Sequence, residues 1–177
     1  MATWNSRGLR GSTLEELINF TNQTYREKRI ALIQKIPTPI KPISMDKASR
    51  HITLAYFEQK SSVDYVGVVQ GIAVCFDAKE CNSDTFSIQN IHEHQYNFMK
   101  EFEEQNGIAF IILFFTGRNE MYYVPFRDIE IFYKRSLDGG RKSIKYDEID
   151  KTYRISTSHG VPVHYLQQLQ MDLAFRD

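Results

Sequence analysis

The sequence predicts an α/β domain, and three observations carry that prediction. β-like runs recur through the middle of the chain, helical periodicity brackets them at both ends, and one run, Gly107 to Phe115, is almost wholly apolar. A run of that kind reads as a central strand buried on both faces, and strands flanked by helices define the α/β class. At 177 residues and 20.8 kDa, residues 1–177 suit one domain with one sizeable core. Hydrophobic residues at 42% and charged residues at 25% are ordinary for a globular protein.

The first helix is predicted from about Thr13 to Arg29, where Leu14, Leu17, Ile18, Thr21 and Tyr25 share a face and Ser12 or Thr13 offers a cap. A short β-like run, Ile30 to Ile36, follows and stops at Pro37-Thr38-Pro39-Ile40-Lys41-Pro42. Three prolines in six residues forbid regular pairing there. The polar stretch onward to Arg50 reads as an extended arm rather than core. His51 to Phe57 reads again as a strand. Asp64 to Val69 and Ile72 to Lys79 form two strands joined by Gln70-Gly71, a tight hairpin. Ile91 to Gln105 is read as a helix with Ile91, Phe98, Met99 and Phe102 on its buried side. After the central strand come a strand at Met121 to Val124, a helix near Phe126 to Tyr133, a basic turn through Gly139-Gly140 and a last helix near His164 to Phe175.

No apolar run approaches the ~20 residues that span a bilayer. The segment Met1 to Arg10 is polar, unlike a secretory signal. A cytoplasmic protein is expected. Cys75 and Cys81 lack a second pair with zinc-like spacing and are expected to be reduced thiols. Net charge is zero, but residues 1–60 carry ten Lys/Arg against five Asp/Glu, residues 61–110 two against eight, and residues 111–177 ten against nine. An acidic centre between more basic arms suits metal cations in the middle and phosphate around them. Chance segregation on solvated faces is the plain alternative.

Asp64, Asp77 and Lys79 are the informative residues. Strand side chains alternate, so Asp77 and Lys79 project to one face, and the hairpin turn brings Asp64 across from them. Two carboxylates beside a lysine can bind Mg²⁺, a hard cation that takes oxygen ligands. The metal would polarise a phosphodiester and lower the pKa of a bound water, while the lysine orients or helps deprotonate that water and offsets charge on the phosphate. An ordinary Asp77–Lys79 surface pair on an edge strand gives the same spacing. Glu15, in the first helical turn, is a third candidate carboxylate. Ser12-x-x-Glu15 and Thr13-x-x-Glu16 both fit a capping box, so one glutamate can cap while the other faces the metal.

The chain resembles the RecU family of Holliday-junction resolvases, within the PD-(D/E)xK nuclease superfamily. The matching blocks are Arg10-Gly11-Ser12-Thr13-Leu14-Glu15-Glu16-Leu17-Ile18-Asn19, Lys35-Ile36-Pro37-Thr38-Pro39, Ala55-Tyr56-Phe57, Asp64-Tyr65 and Phe76-Asp77-Ala78-Lys79-Glu80. Gln89-Asn90-Ile91-His92-Glu93-His94-Gln95 and Gly140-Arg141-Lys142-Ser143-Ile144 continue the order. The resemblance implies a restriction-endonuclease-like mixed central sheet flanked by helices, with a protruding Pro-rich stalk over residues 38–57 that enters the junction. It implies a Mg²⁺-dependent (Mn²⁺ as alternative) endodeoxyribonuclease acting as a homodimer, each protomer nicking one strand of a four-way DNA junction. Asp64 and Asp77 would be metal ligands, Lys79 the catalytic lysine, and Glu15 would complete the site. The chain departs from the family in carrying Asp77 where glutamate is usual, Val63 where a hydroxyl residue is usual, and Leu54 where a glutamate is expected.

Other residues admit plainer roles. His92 and His94 point to different helix faces if both are helical, which favours packing or capping over a joint metal site. Gln95 either contacts DNA near the cleaved phosphate or lies on a solvated helix face. Arg141 and Lys142, with Lys134, Arg135 and Lys145, form the densest basic cluster. They, Arg10, and the arm residues Lys41, Lys47 and Arg50 are candidate phosphate contacts. Two rival readings stand beside the resolvase: a non-catalytic junction-binding modulator of the RecA recombinase, and a restriction-type nuclease. The intact Asp64, Asp77 and Lys79 set argues against the first, the Pro-rich arm against the second.

Overall fold

The computed structural model describes residues 13–37, 39–57 and 62–176. Helix α1, Leu14–Glu27, begins where Thr13 caps it: Glu16 N–H donates to Thr13 Oγ1 at 3.3 Å, and Thr13 N–H donates to the Glu16 carboxylate at 2.8 Å. This reciprocal box satisfies two of the donors a helix start leaves open. Strand β1, Leu32–Lys35, follows, then β2, Ile40–Asp46, β3, His51–Phe57, β4, Tyr65–Val69, and β5, Ile72–Cys81. A short β6, Thr85–Ser87, leads through a 3₁₀ turn at Ile88–Asn90 into α2, Glu93–Glu104. The chain continues with β7, Ile108–Phe115, β8, Glu120–Pro125, α3, Phe126–Leu137, β9, Ser143–Lys145, β10, Arg154–Ile155, and α4, Leu166–Arg176.

Six strands form the central sheet in the order β1-β4-β5-β7-β8-β10. Only the β5–β7 pair is parallel, with Asp77 opposite Ile111, so the sheet is mixed and helices lie on both faces. β4 and β5 are joined by Gln70 and Gly71, both with positive φ (49° and 93°), the turn conformation that matches strand twist in a two-residue hairpin.

Alternation along the strands divides the core. One face packs Tyr65, Phe76, Phe110 and Tyr123 against Leu14, Leu17 and Ile18 of α1 and Leu169 of α4. The four rings stack in sequence across β4, β5, β7 and β8, with centroids 4.7, 4.7 and 4.2 Å apart. Such ring pairs add about 0.5–1.5 kcal/mol each beyond their buried area. The other face packs Cys75, Ile111, Leu113 and Val124 against Met99 of α2 and Ile129 of α3. Phe76 therefore points to the α1 side, while Asp77 and Lys79 point to the α2 side.

The Pro-rich segment departs from expectation. β2 does pair, antiparallel to β3, and Pro42 itself stands opposite Ala55. A two-stranded sheet has an open side on each strand, so a residue without an N–H can sit there without breaking a ladder. Register shifts between Pro42 and Ser44 and between Ser44 and Met45 absorb the irregularity. Every residue of β2 is exposed, and Ile43, Met45, Ile52, Leu54 and Tyr56 lie uncovered on the hairpin. The turn is fastened by Asp46, which accepts from Ala48 N–H at 2.9 Å and Ser49 Oγ at 2.6 Å.

Candidate active site

Asp64 immediately precedes β4, and the register Tyr65↔Phe76 sets it opposite Asp77. Each carboxylate is pinned by the other strand's backbone. Asp64 N–H donates to Asp77 Oδ1 at 2.8 Å, and Ala78 N–H donates to Asp64 Oδ2 at 2.9 Å. The Asp77 side chain is fully buried, and its Oδ2 has no hydrogen-bond partner. Lys79 Nζ stands 3.3 Å from that oxygen, an ion pair in which the lysine side chain is one-sixth exposed. Burial pushes the Asp77 carboxyl up to about 6, Lys79 pulls it down and the Asp64 charge raises it again. Removing this carboxylate from water costs more than the one lysine returns, so a second cation suits it.

The third contact comes from α2. Lys79 Nζ donates to Gln95 Oε1 at 3.2 Å, and the same oxygen accepts His92 N–H at 3.1 Å. Gln95 is 6% exposed, which rules out the solvated helix face as its setting. His92 is the N-cap with extended backbone (φ −68°, ψ 151°), so it lies outside the helix. The expectation that His92 and His94 diverge as helical neighbours fails for that reason: their rings are parallel within 14°, with centroids 5.5 Å apart.

Glu15 is not brought to this cluster. Its carboxylate is ion-paired with Lys35, and α1 packs on the sheet face opposite Asp77 and Lys79. Glu80, the next residue on that face, accepts from Leu14 N–H at 2.7 Å. Among the described residues no three His, Cys, Asp or Glu side chains converge to hold a metal. Asp64 and Asp77 are the two carboxylates that the geometry brings together, while Glu16 caps α1 and Glu15 pairs with Lys35. Two carboxylates still fit Mg²⁺, which keeps several waters and uses one or two carboxylates plus substrate phosphate. The buried Asp77 Oδ2, ion-paired with Lys79 but without a hydrogen-bond partner, is the atom that makes the fit.

The proposed DNA contacts are scattered more widely. Arg10 lies outside the described residues. Lys41 sits on the β2–β3 hairpin and Lys47 and Arg50 in its turn, all exposed. Arg141 is not free: it pairs with Glu148 at 2.5 Å, a carboxylate that Arg135 also holds at 2.6 Å and keeps at about 2. Lys142 is exposed, while its carbonyl accepts Ile88 N–H at 3.1 Å. That bond fastens the basic turn to the segment that leads into α2. Gln95 as a direct partner of the lysine was legible only as the third helical residue after a capping position, the place where Gln turns back.

The arrangement is that of a mixed α/β domain with an Asp–Asp-x-Lys site at the end of a central hairpin. The chain belongs to the family described as recombination protein U, RecU, which it matches over residues 9–171. It is 43% identical over 148 residues to a protein of Geobacillus sp. (strain WCH70) named Holliday junction resolvase RecU, covering 81% of this chain and 74% of that one. It is 40% identical over 167 residues to the protein of the same name from Bacillus cereus (strain B4264), covering 92% and 84%. The corresponding protein of Oceanobacillus iheyensis is 38% identical over 164 residues, covering 90% and 81%. Among solved structures, the Archaeoglobus fulgidus Holliday junction resolvase Hjc gives a TM-score of 0.34 at 10% identity, over 63% of this chain and 74% of that one.

Proposed function

We propose that this chain is a divalent-metal-dependent endodeoxyribonuclease that resolves four-way DNA junctions during recombination and repair, working as a homodimer in the cytoplasm. The observation that carries the metal site is the buried Asp77 Oδ2, without a hydrogen-bond partner beside Asp64 and Lys79. The names of its relatives support the substrate. Mg²⁺ suits the all-oxygen donor pair, and Mn²⁺ would bind the same ligands. Bound by Asp64 and Asp77, the metal would supply Lewis acidity and a lowered pKa for a water at the phosphodiester. Lys79 would place a positive charge against the phosphate.

The β2–β3 hairpin is the proposed stalk. A lone two-stranded hairpin is marginal in water, and this one leaves six large apolar side chains exposed, Ile40 among them. In a two-fold dimer two such hairpins would stand side by side, matching the near two-fold symmetry of a four-way junction.

The test is direct: purified protein with a synthetic mobile junction and with linear duplex, with and without Mg²⁺. Paired nicks in the junction that require the metal are expected. Absence of metal-dependent cutting on either substrate overturns the nuclease reading. A second outcome concerns the basic turn. Because Arg141 is engaged with Glu148, the solvated Lys142 and Lys145 carry the contact. Lys142→Ala with Lys145→Ala is expected to weaken binding to all DNA shapes and to lower the salt slope by about 2. Fluorescence-anisotropy titrations from low to high salt check it, and an unchanged slope returns these lysines to a solvated turn.

A further inference from the structure

We propose that the turn between β10 and α4 forms, together with the end of α1, a binding site for a phosphate group, made by Lys28, His159 and His164. The site is independent of the nuclease reading, because it lies on the α1 side of the sheet, away from Asp77 and Lys79. The two imidazole rings stand with centroids 4.7 Å apart, tilted by 38°. His159 has left-handed backbone (φ 53°) and Gly160 follows it at φ 80°. Their turn is closed by Ser158 N–H to Val161 O at 3.2 Å and Val161 N–H to Ser158 O at 3.0 Å. Lys28 is drawn into the same place, where its Nζ donates to His159 O at 2.9 Å. Every hydrogen-bond partner of this trio is uncharged: that carbonyl, the Tyr25 hydroxyl 2.9 Å from His164 Nδ1, and Ser158 Oγ 3.1 Å from His159 Nδ1. Glu27, beside Lys28 in sequence, accepts from Gln23 at 2.9 Å instead.

Each of the three groups keeps donors to offer. Burial holds the Tyr25 hydroxyl well above its ordinary range, so it stays protonated and donates to Nδ1 of a neutral His164. That bond selects the tautomer with its proton on Nε2, and the hydroxyl oxygen accepts in turn when the ring takes a second proton. Lys28 has two N–H bonds beyond the one given to His159 O. His164 is half-buried, while Lys28 and His159 are exposed. It faces Tyr25 and Lys28 from α1 and His159 from the turn; burial lowers its pKa, and the charges of His159 and Lys28 lower it further. Arg26 and Arg29, both exposed, add positive charge at the same end of α1. Basic groups so gathered repel one another, and an anion among them turns each repulsion into an attraction. A phosphate brings up to two negative charges and oxygens enough for all three side chains, where a carboxylate brings one charge and two oxygens.

The test follows the imidazole C–H signals of the intact chain by proton NMR, with His159→Asn and His164→Gln assigning them. Inorganic phosphate, slightly below neutral pH, is expected to move both signals along one saturable curve and to raise the apparent pKa of both rings. Chloride at equal ionic strength should do neither. Asn tolerates left-handed backbone, so His159→Asn keeps the turn. It is expected to weaken phosphate binding about tenfold, the scale of one hydrogen bond to a charged group, and Lys28→Met to do the same. Without phosphate, His159→Asn should raise the His164 pKa, because a like charge has gone. Linear duplex DNA in metal-free buffer separates the sources of the phosphate. If DNA supplies it, the duplex moves the same two signals and competes with inorganic phosphate. If inorganic phosphate alone moves them, the ligand is a free phosphate, and the site stands in either case. Signals that ignore phosphate and duplex alike, or that move as far in chloride, overturn the proposal. So does saturation by Zn²⁺ without any response to phosphate, which would make the two imidazoles a metal site. Whether the protein cuts junctions has no bearing on these readings.

Discussion

Asp77→Asn is expected to abolish junction cutting while making the metal-free protein more stable. The two effects share one cause. Asp77 is fully buried and burial raises its carboxyl to about 6, so at neutral pH the fold carries an ionised group that it disfavours. For an acid raised in the folded state the linkage runs one way: stability is greatest below the ordinary carboxyl range and falls as pH climbs from there through about 6. An uncharged isostere removes that cost while its Oδ1 can still accept from Asp64 N–H. A gain of several degrees in Tm at pH 7.5 is expected, on a scale of roughly 2–4 °C per kcal/mol for a chain of this size. The wild type should close the gap when Mg²⁺ is added, and Asp77→Asn should not respond. Junction affinity should hold, because it comes mostly from phosphate contacts elsewhere. Thermal melts with and without Mg²⁺, beside cleavage and gel-shift assays, check all three. Full cleavage by the variant at ordinary Mg²⁺ would sink the assignment of Asp77.

The site was readable in sequence where one strand period sufficed. Asp77 and Lys79 share a face because they are two residues apart on β5, and Asp64 meets them because Gln70-Gly71 admits a two-residue turn. What escaped was whatever depended on the far side of the sheet or on another element. Glu15 and Asp77 are both acidic and near the same strand ends, yet α1 packs on the face of Phe76, opposite Asp77. No local pattern says which face a helix takes. Gln95 stayed open between a contact near the cleaved phosphate and a solvated helix face, because its partner Lys79 comes from β5, sixteen residues earlier.

The fold was legible to a similar depth. α1, the β4–β5 hairpin and the apolar β7 declared themselves through caps, turns and long periodic runs. β6, β9 and β10 have three, three and two residues, too few for any periodicity, and they exist because distant segments pair: Phe86 with Ile144, Ile155 with Met121. β2 was hidden for a different reason. Proline is a reliable breaker in a central strand, but β2 belongs to a hairpin with solvent on both flanks, where the rule relaxes.

That same hairpin yields the other large expected effect. Replacing residues 40–57 with a short Gly/Ser linker should leave a folded, metal-binding domain that has lost its preference for the junction over linear duplex. β2 and β3 pair only with each other, as a separate two-stranded sheet, so removing both leaves the central sheet and its hairpin intact. Removing β2 alone would strand Ile52, Leu54 and Tyr56 without a partner strand and invite aggregation, so the whole hairpin is the unit to exchange. Lys41, Lys47 and Arg50 leave with it, which should weaken junction binding and reduce its salt dependence. Lys142 and Lys145, the proposed phosphate contacts, remain, so residual affinity for linear DNA is expected. Gel-shift competition between junction and duplex, with cleavage assays on both, reads the preference. Sedimentation of the same variant reads whether the apolar hairpin also holds two protomers together. An unaltered junction preference in a well-folded variant would reduce residues 40–57 to a surface hairpin and move the source of selectivity to the body of the domain.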